Sequence, residues 1–333
     1  MRPQRFRYLI RRRSRDGDQR QAIPGAWSGG RHGERRLNAE PSTTSAARGE
    51  DPLDAGRVSL GFTYEGGEPE LLERVVTLSD YLEITPDSIA RPDGEGAQLD
   101  PAIIDELRAV AGATEFVVHG VGLSIGSASG YSERYLDLLA AFLDQFDVAW
   151  HSEHLGYTTV DGTSLGTMLA LPKTEEVLEL LVQRVGEIQS RFELPFLLEN
   201  IVHLLPDYPG DYSDAGFLNE LVVRTGCGLL LDVYNLECDA ANNGFDIDAF
   251  LDELDLDAVG ELHVAGGVAR DGLQLDVHSR PTEPSTLALA KRVVDRTPSL
   301  GGVTYELLAE AVPVLGAERI SAELTRIRSA LAA

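Results

Sequence analysis

TGCGLLLDVYN, residues 225–235, carries an acidic side chain, Asp232, directly after an unbroken apolar run. An unbroken rather than alternating apolar run is typical of a strand that is buried on both faces, as in a parallel sheet covered by helices. A histidine or a carboxylate also stands at or near the end of further strand-like runs, at His119, His154, Glu199, His263 and Glu306. Because parallel strands end together, these polar side chains are predicted to meet at one end of a barrel.

Eight strand-like runs alternate with eight stretches of helical length. The strand-like runs occupy residues 58–64, 80–86, 115–121, 148–154, 195–200, 227–233, 258–264 and 302–308. The amphipathic stretches occupy residues 71–79, 101–111, 132–146, 174–192, 214–225, 246–254, 285–297 and 318–331. This alternation predicts an α/β protein with the (β/α)8 architecture of a TIM barrel. A doubly wound open sheet is the alternative, but no glycine-rich GxGxxG turn follows the first strand.

The length and composition exclude several classes of protein. With 333 residues, 43% of them hydrophobic, the chain is long enough to form one large barrel. No stretch approaches the roughly 18 to 20 apolar residues of a membrane span, so no membrane association is expected. Only Cys227 and Cys238 are present, without a CxxC pair, which argues against a disulfide framework or a zinc knuckle and favours the reducing cytoplasm.

Charge divides the chain into two parts. Residues 1–50 hold 12 arginines and 5 acidic residues, a net charge of +7, whereas the remaining 283 residues carry a net charge of −32. A body this acidic repels phosphate groups, so no nucleic-acid partner is expected. Residues 1–55 are rich in Arg, Gly and Ser and lack apolar periodicity. They are predicted to form a disordered arm, and residues 56–333 are predicted to form the single barrel domain.

The polar residues at the strand ends have the composition of a metal site. Glu83 lies near the end of the second run, while Asp276 and His278 lie two apart in the loop after the seventh run, where an extended segment points them the same way. So many nitrogen and oxygen ligands exceed the needs of one ion and predict two or three. Imidazole mixed with carboxylate, without thiolate, suits iron, manganese or zinc.

Three neighbouring polar residues have other interpretations. His151 is three residues before His154, and strand alternation aims the two side chains in opposite directions, so His151 is predicted to be a packing residue. His203 is predicted to be an outer partner of the site or a surface residue. Asn200, beside Glu199, either offers an amide oxygen to a metal or fixes a loop.

Several motifs resemble those of the DUF692 family, the multinuclear non-haem iron-dependent oxidases. They are HGVGLSIGSA, SEHLGY, PFLLENI, TGCGLLLDVYN, GELHVAGG, LDVHSRP and the TYE of the last strand, and the resemblance covers residues 57–330. It implies a (β/α)8 barrel and an iron-dependent oxidoreductase. Such an enzyme uses dioxygen to oxidise a residue, often cysteine, of a ribosomally made precursor peptide. The resemblance also implies two or three iron ions and a small partner protein that presents the peptide.

The same resemblance implies the ligands by position. It implies metal ligands at His119, His154, Glu199, Asp232, His263, Asp276, His278 and Glu306. Glu199 is expected to bridge two irons, and Glu199 and Asp232 are predicted to be the catalytic residues. The chain departs from the family pattern at Tyr234, where an asparagine ligand can stand, and at Gly267, where a second histidine often stands. These departures favour two irons over three.

Two other functions remain open at this point. A sugar isomerase or epimerase, or an endonuclease, of the divalent-metal TIM-barrel type would use similar His, Asp and Glu clusters without dioxygen. The acidic body argues against the endonuclease. In a non-enzymatic alternative, the barrel would bind metal or peptide only as part of a complex and would consume no oxygen.

Overall fold

The structure is a computed structural model that describes residues 58–94, 96–205 and 209–332. The predicted arm, residues 1–55, lies outside the described residues. Fourteen strands occur in the described part of the chain. In chain order they are β1 (Ser59–Thr63), β2 (Tyr81–Ile84), β3 (Ala90–Asp93), β4 (Gly96–Leu99), β5 (Glu115–Gly120), β6 (Val148–His154), β7 (Gly156–Val160), β8 (Thr163–Ala170), β9 (Phe196–Glu199), β10 (Gly228–Asp232), β11 (Val259–Val264), β12 (Val268–Arg270), β13 (Leu273–Leu275) and β14 (Gly302–Tyr305).

Eight of these strands close a parallel barrel. Their order around the barrel is β1, β14, β11, β10, β9, β6, β5, β2 and back to β1. Each of the eight predicted strand-like runs contains one of them, so the predicted (β/α)8 barrel is confirmed. The remaining six strands form three antiparallel hairpins, β3–β4, β7–β8 and β12–β13. They follow β2, β6 and β11, and therefore stand at the C-terminal end of the barrel.

Ten helices cover the barrel within the described residues. They are α1 (Pro69–Leu78), α2 (Pro101–Val110), α3 (Glu133–Leu143), α4 (Glu175–Arg191), α5 (Asp214–Thr225), α6 (Val233–Asn243), α7 (Ile247–Glu253), α8 (Pro284–Arg296), α9 (Val312–Leu315) and α10 (Ala317–Ala332). The hydroxyls of Ser132, Thr174 and Ser213 accept hydrogen bonds from the first turns of α3, α4 and α5. Among the described residues, no helix combines the length and the apolar character needed to cross a lipid bilayer.

Helix α6 is absent from the sequence prediction. It begins at Val233, directly after β10, and Asp232 is both the last residue of that strand and the N-cap of the helix. The Asp232 Oδ1 atom accepts a hydrogen bond of 2.8 Å from the Asn235 backbone N–H. Gly244 ends the helix with a left-handed backbone, φ 72°. One side chain therefore fixes a strand end and a helix start without an intervening loop.

The interior of the barrel has an apolar floor. Tyr81, Val117, Trp150, Leu197 and Leu230 form a cluster separate from the main core between strands and helices. Strand side chains alternate between the two faces, so residues two positions further along point to the same interior, one layer closer to the C-terminal end. Those positions hold Glu83, His119, Ser152, Glu199 and Asp232.

Candidate metal centre

Glu199 lies at the centre of the polar layer above this floor. Its Oε2 atom is 3.2 Å from His119 Nε2 and 3.3 Å from His154 Nε2. Its Oε1 atom faces the other way and is 3.6 Å from His263 Nδ1. The strand register produces this arrangement, because His154 of β6 is paired with Glu199 of β9. The two carboxylate oxygens of one side chain are therefore shared between two groups of potential ligands.

The second group lies on the side of β10, β11 and β14. Asp232 pairs in register with His263. The His263 Nδ1 atom is 2.7 Å from Glu306 Oε2. One potential ligand atom from each of Glu199, Asp232, His263 and Glu306 lies within 4.8 Å of the others, and the same holds for His119, His154 and Glu199. Both sets have the size and the donor types of a metal position.

Asp276 and His278 join the second group from the loop after β13. His278 Nδ1 is 3.1 Å from Glu306 Oε1, and His278 Nε2 is 2.5 Å from Asp276 Oδ1 and 3.9 Å from Asp232 Oδ2. His278 has a left-handed backbone, with a φ of 37°, which is strained for a residue with a Cβ. The loop therefore keeps His278 in an unfavourable backbone conformation, and in that conformation its imidazole reaches Glu306 and Asp232.

Many atoms in this layer lack a hydrogen bond within the described part of the chain. These buried atoms are His119 Nε2, both carboxylate oxygens of Glu199, Asp232 Oδ2, His263 Nδ1, Asp276 Oδ1, His278 Nε2 and Glu306 Oε2. Buried polar atoms are normally satisfied, because an unpaired one costs about 1–3 kcal/mol. Here carboxylate oxygens and imidazole nitrogens from several strands face one another in a set rich in carboxylates. A cation between them resolves both the repulsion and the missing bonds, so these residues fit bound metal ions.

Hydrogen bonds on the far side of the His119 and His154 rings determine which ring nitrogen of each faces Glu199. His154 Nδ1 donates to the Gly120 carbonyl oxygen at 3.0 Å, which leaves the Nε2 lone pair free. His119 Nδ1 is 2.9 Å from Ser152 Oγ, and that hydroxyl donates onward to the Val118 carbonyl oxygen. The serine oxygen therefore accepts from His119 Nδ1, and Nε2 is again free. Such outer hydrogen bonds orient metal-binding histidines.

The charges of the group shift several pKa values. Burial, with repulsion from Asp276 and Glu199, raises the pKa of Asp232 well above its ordinary value. Burial lowers the pKa of His119, and the neighbouring histidines lower it further. Burial also opposes the charged form of His278, but Glu306 and Asp276 outweigh it and raise that pKa. Burial likewise opposes the charged form of His263, but Glu83 and Glu306 outweigh it and raise that pKa as well. In the metal-free protein these shifts favour the protonated forms of Asp232, His263 and His278, and the neutral form of His119.

Metal binding is therefore expected to release protons. A cation needs the Asp232 carboxylate and the neutral imidazoles of His263 and His278, so any of these groups that is protonated must lose its proton on binding. Affinity should rise with pH as these groups titrate, by about tenfold per pH unit for each proton released. Isothermal titration calorimetry in buffers of different ionisation enthalpy measures the proton count. A binding enthalpy that is independent of the buffer contradicts this expectation.

Two polar residues that support the site were not assigned to it from the sequence. Ser152 is the hydrogen-bond partner of His119. The only indication of this role in the sequence is that Ser152 lies two positions before His154, and therefore on the same face of the strand. Glu153 is buried and accepts from the backbone N–H groups of Leu123, at 2.9 Å, and His154, at 3.0 Å. It points away from the barrel interior and anchors the loop after β5. A buried acid adjacent to a predicted ligand is the only signal that the sequence offers for it.

The structure assigns a place to the three residues with other interpretations. Asn200 clamps a strand end: its side-chain oxygen accepts from Asp232 N at 2.9 Å, and its amide group donates to Asp232 O at 3.0 Å. His151 stacks on Phe196 with ring centroids 4.5 Å apart, as expected of a packing residue, and burial lowers its pKa to about 3. His203 pairs with Asp239, Nδ1 to Oδ2 at 2.5 Å, outside both ligand groups.

Tyr234 and Gly267 occupy the two positions at which the chain departs from the family pattern. The Tyr234 side chain is 2% exposed, and its hydroxyl accepts a hydrogen bond from Gln274 Nε2 at 2.5 Å. A Cβ atom at Gly267 would lie 2.0 Å from the Leu275 carbonyl oxygen and 2.5 Å from the Tyr234 hydroxyl. There is no space for a side chain at Gly267 unless hairpin β12–β13 and Tyr234 move.

Gly267→Ala is accordingly expected to destabilise the protein. Crowding against backbone and a buried phenol costs about 1–3 kcal/mol of unfolding free energy. The matched control is Gly186→Ala in α4, because a Cβ there meets nothing within 4 Å. That control should be neutral or stabilising by about 0.5–1 kcal/mol. Urea denaturation of both variants measures the difference, and equal stability of the two would contradict the steric argument.

Comparison with known sequences identifies the family. The sequence model described as RiPP precursor modification enzyme MbnB/TglH/ChrH matches residues 60–332, nearly the whole described chain. The chain belongs to this family. RiPPs are ribosomally made, post-translationally modified peptides, so the MbnB/TglH/ChrH family is one of peptide-modifying enzymes. The resemblance to DUF692 proteins is thereby confirmed.

Members of the same group occur in several bacteria. A UPF0276 protein of Rhizorhabdus wittichii is 33% identical over 215 residues, 65% of this chain and 74% of the relative. A UPF0276 protein of Caulobacter vibrioides is 35% identical over 179 residues, 54% of this chain and 64% of the relative. The match to the Caulobacter relative thus spans less than two thirds of its length. The printed names of these relatives state no activity.

Solved structures with the same architecture are more distant from this MbnB/TglH/ChrH member. A D-psicose 3-epimerase of Clostridium cellulolyticum aligns over 82% of this chain and 99% of its own, with a TM-score of 0.51 and 18% identity. Endonuclease IV of Thermus thermophilus aligns over the same shares with a TM-score of 0.51 and 19% identity. Identities this low show the shared barrel fold alone.

Proposed function

We propose that this protein is a multinuclear non-haem iron-dependent oxidase that uses dioxygen to modify a residue, in the first instance cysteine, of a ribosomally made precursor peptide. The observation that carries the proposal is Glu199, whose two oxygens face two different ligand groups. A carboxylate shared in this way is suited to hold two metal ions close together. The family supplies the peptide as the class of substrate.

The proposed centre holds two iron ions. His119 and His154 with one oxygen of Glu199 would hold the first, and the other oxygen of Glu199 with Asp232, His263 and Glu306 would hold the second. Asp276 and His278 complete the set on the solvent side. When bound, the iron pair supplies one-electron redox chemistry and a place for dioxygen to react. The filled position of Tyr234 and the lack of space at Gly267 favour two ions over three.

The exposure of the ligands indicates where a peptide approaches. The side chains of Asp276 and His154 are 23% and 14% exposed, whereas those of Asp232 and His263 are fully buried. The centre therefore opens towards the rim that carries Asp276 and His154, and the deeper ligands are shielded from water. A substrate thiol that enters from this rim would reach the centre without displacing the buried histidine and carboxylate. Shielding of this kind protects reactive chemistry from side reactions.

Partners and compartment belong to the same proposal. We expect a small partner protein that presents the peptide, no nucleic-acid or membrane partner, and a cytoplasmic location. The strongly negative charge and the two buried free cysteines support these expectations.

The test is to purify the protein anaerobically, load it with iron, and record metal content with Mössbauer and EPR spectra. Two spin-coupled irons per chain, together with dioxygen consumption in the presence of a Cys-containing precursor peptide from a neighbouring gene, support the oxidase. One zinc or manganese ion per chain, with no coupled iron after loading, favours an isomerase, an epimerase or a hydrolase. Bound iron without oxygen consumption favours the non-enzymatic alternative.

A further inference from the structure

The two ligand groups differ in charge. His119, His154 and one oxygen of Glu199 provide two neutral imidazoles and a share of one carboxylate. The other group provides the second oxygen of Glu199, two more carboxylates from Asp232 and Glu306, and one imidazole, His263. We call these the histidine position and the carboxylate position. A divalent or trivalent cation gains more Coulomb energy in the carboxylate position, because that position has more negative charge at the same distances.

The second difference lies behind the histidines. At the histidine position, both outer partners are neutral: His119 Nδ1 meets the Ser152 hydroxyl, and His154 Nδ1 meets the Gly120 carbonyl oxygen. At the carboxylate position, His263 Nε2 is 2.9 Å from Glu83 Oε2, and both side chains are fully buried. A carboxylate partner makes an imidazole a stronger electron donor than a neutral partner does.

The contacts of Glu83 direct its charge to this one histidine. Its other oxygen, Oε1, accepts from the Thr63 hydroxyl at 2.8 Å. The stronger donors nearby are bound elsewhere: Trp150 Nε1 donates to Glu261 Oε2 at 2.6 Å, and the hydroxyls of Tyr81 and Thr304 reach Glu261 Oε1. Within the described part of the chain, the hydrogen-bond partners of the Glu83 carboxylate are therefore the Thr63 hydroxyl and His263.

We propose that the two metal positions are unequal, that the carboxylate position fills first and binds more tightly, and that Glu83 is the positioning residue that sets this order by holding His263. The proposal rests on the two-metal centre of the proposed function, but not on the identity of the metal or on the reaction. Glu83 could itself be taken for a ligand, because one atom from each of Glu83, His119 and His263 also lies within 4.8 Å of the others. Its hydrogen bond to His263 Nε2 leaves Nδ1 facing Glu199 and Glu306, which is the geometry of an outer partner.

The test is to titrate the metal-free protein with Mn2+ and to measure the concentration of unbound Mn2+ at each step from its EPR signal. Mn2+ is a suitable probe because it favours carboxylate oxygen and imidazole nitrogen and needs no oxidation. The wild-type protein should bind two ions in two classes of affinity. In Glu83→Gln the tight class should weaken by about 10–100-fold, the usual cost of losing an outer partner of a metal ligand, with the weak class unchanged.

Ser152→Ala is the matched variant at the other position. It removes the hydroxyl behind His119 and should weaken the weak class while leaving the tight class intact. Thr63→Val offers a milder change at Glu83, since it removes the second hydrogen bond and leaves the carboxylate in place. It should weaken the tight class less than Glu83→Gln does, and it preserves the test if Glu83→Gln does not fold. Circular dichroism and thermal melts establish that each variant is folded.

Three results overturn the proposal. The first is two equivalent Mn2+ ions in the wild-type protein. The second is equal weakening of both classes in Glu83→Gln or in Thr63→Val. The third is the loss of one Mn2+ equivalent with unchanged affinity for the rest, which would make Glu83 a ligand. None of these depends on catalysis: a protein that shows the expected Mn2+ order but oxidises no peptide refutes the proposed function and leaves the metal order standing.

Discussion

Glu199→Gln is expected to lower bound iron from two ions to one or fewer and to reduce turnover by more than about 100-fold. Outer partners of metal ligands alone contribute about 10–100-fold in affinity, and Glu199 contributes to both positions directly. An amide has one oxygen, so it can face His119 and His154 or His263, but not both sets. Iron content by mass spectrometry and dioxygen consumption with the precursor peptide measure the two effects.

The control for this variant is Glu323→Gln. Glu323 is also a buried glutamate, but it lies on α10 and pairs with Arg326 and the Thr282 backbone N–H, outside both ligand groups. It should retain both irons and full turnover, although its stability falls. A folded Glu199→Gln protein with two irons and undiminished turnover would remove Glu199 from the centre.

Removal of the metal is expected to destabilise the protein strongly. Without cations, the carboxylates of Glu199, Asp232 and Glu306 lie buried beside one another, and several of their oxygens lack hydrogen bonds. At a free metal concentration about 1,000-fold above Kd, each bound ion stabilises the folded state by about 4 kcal/mol. For two ions, the chelated protein should melt on the order of 10 °C below the metal-loaded one.

Differential scanning calorimetry with and without a chelator measures this shift. The apoprotein should regain its melting temperature on addition of iron or Mn2+, and Glu199→Gln should regain less than half of it. Equal melting temperatures of the chelated and loaded wild-type protein would show that these residues hold no metal in the folded state. The acidic surface binds cations weakly as well, so a titration with Ca2+, which prefers six to eight oxygen ligands, serves as the comparison.

The barrel could be predicted because its signal is local and repeated. The apolar runs before His119, Glu199 and Asp232 are continuous, which only a strand covered on both faces requires. Parallel strands with helical connections then leave few topologies, and all of them bring the strand ends to one rim. The juxtaposition of the candidate ligand residues follows from that rule alone. The distances between these side chains do not follow from it, because they depend on the register in which neighbouring strands pair.

The rest depends on contacts that the sequence does not encode locally. The sequence pattern does not predict helix α6, because VYNLECDAANN lacks a broad apolar stripe and because its N-cap, Asp232, is also the last residue of a strand. The hairpin β7–β8 is an exception, because Asp161 and Gly162 form the two-residue turn between its strands, and Asp-Gly is a local sequence signal for a hairpin. The sequence does not decide between the two roles of Asn200, because the choice depends on Asp232, 32 residues away. The partnership of Ser152 with His119 needs the register of β5 against β6.

The direct passage from β10 into α6 has a consequence for how this rim can vary. After β2, β6 and β11 a hairpin extends the chain on the rim before the next helix begins. At Asp232 no residue separates the strand from the helix. The same carboxylate caps the helix and belongs to the candidate metal-binding group with Glu199, His263 and Glu306. An insertion there would break both contacts at once. A library built to change substrate preference should therefore vary the rim hairpins and keep residues 228–235 constant.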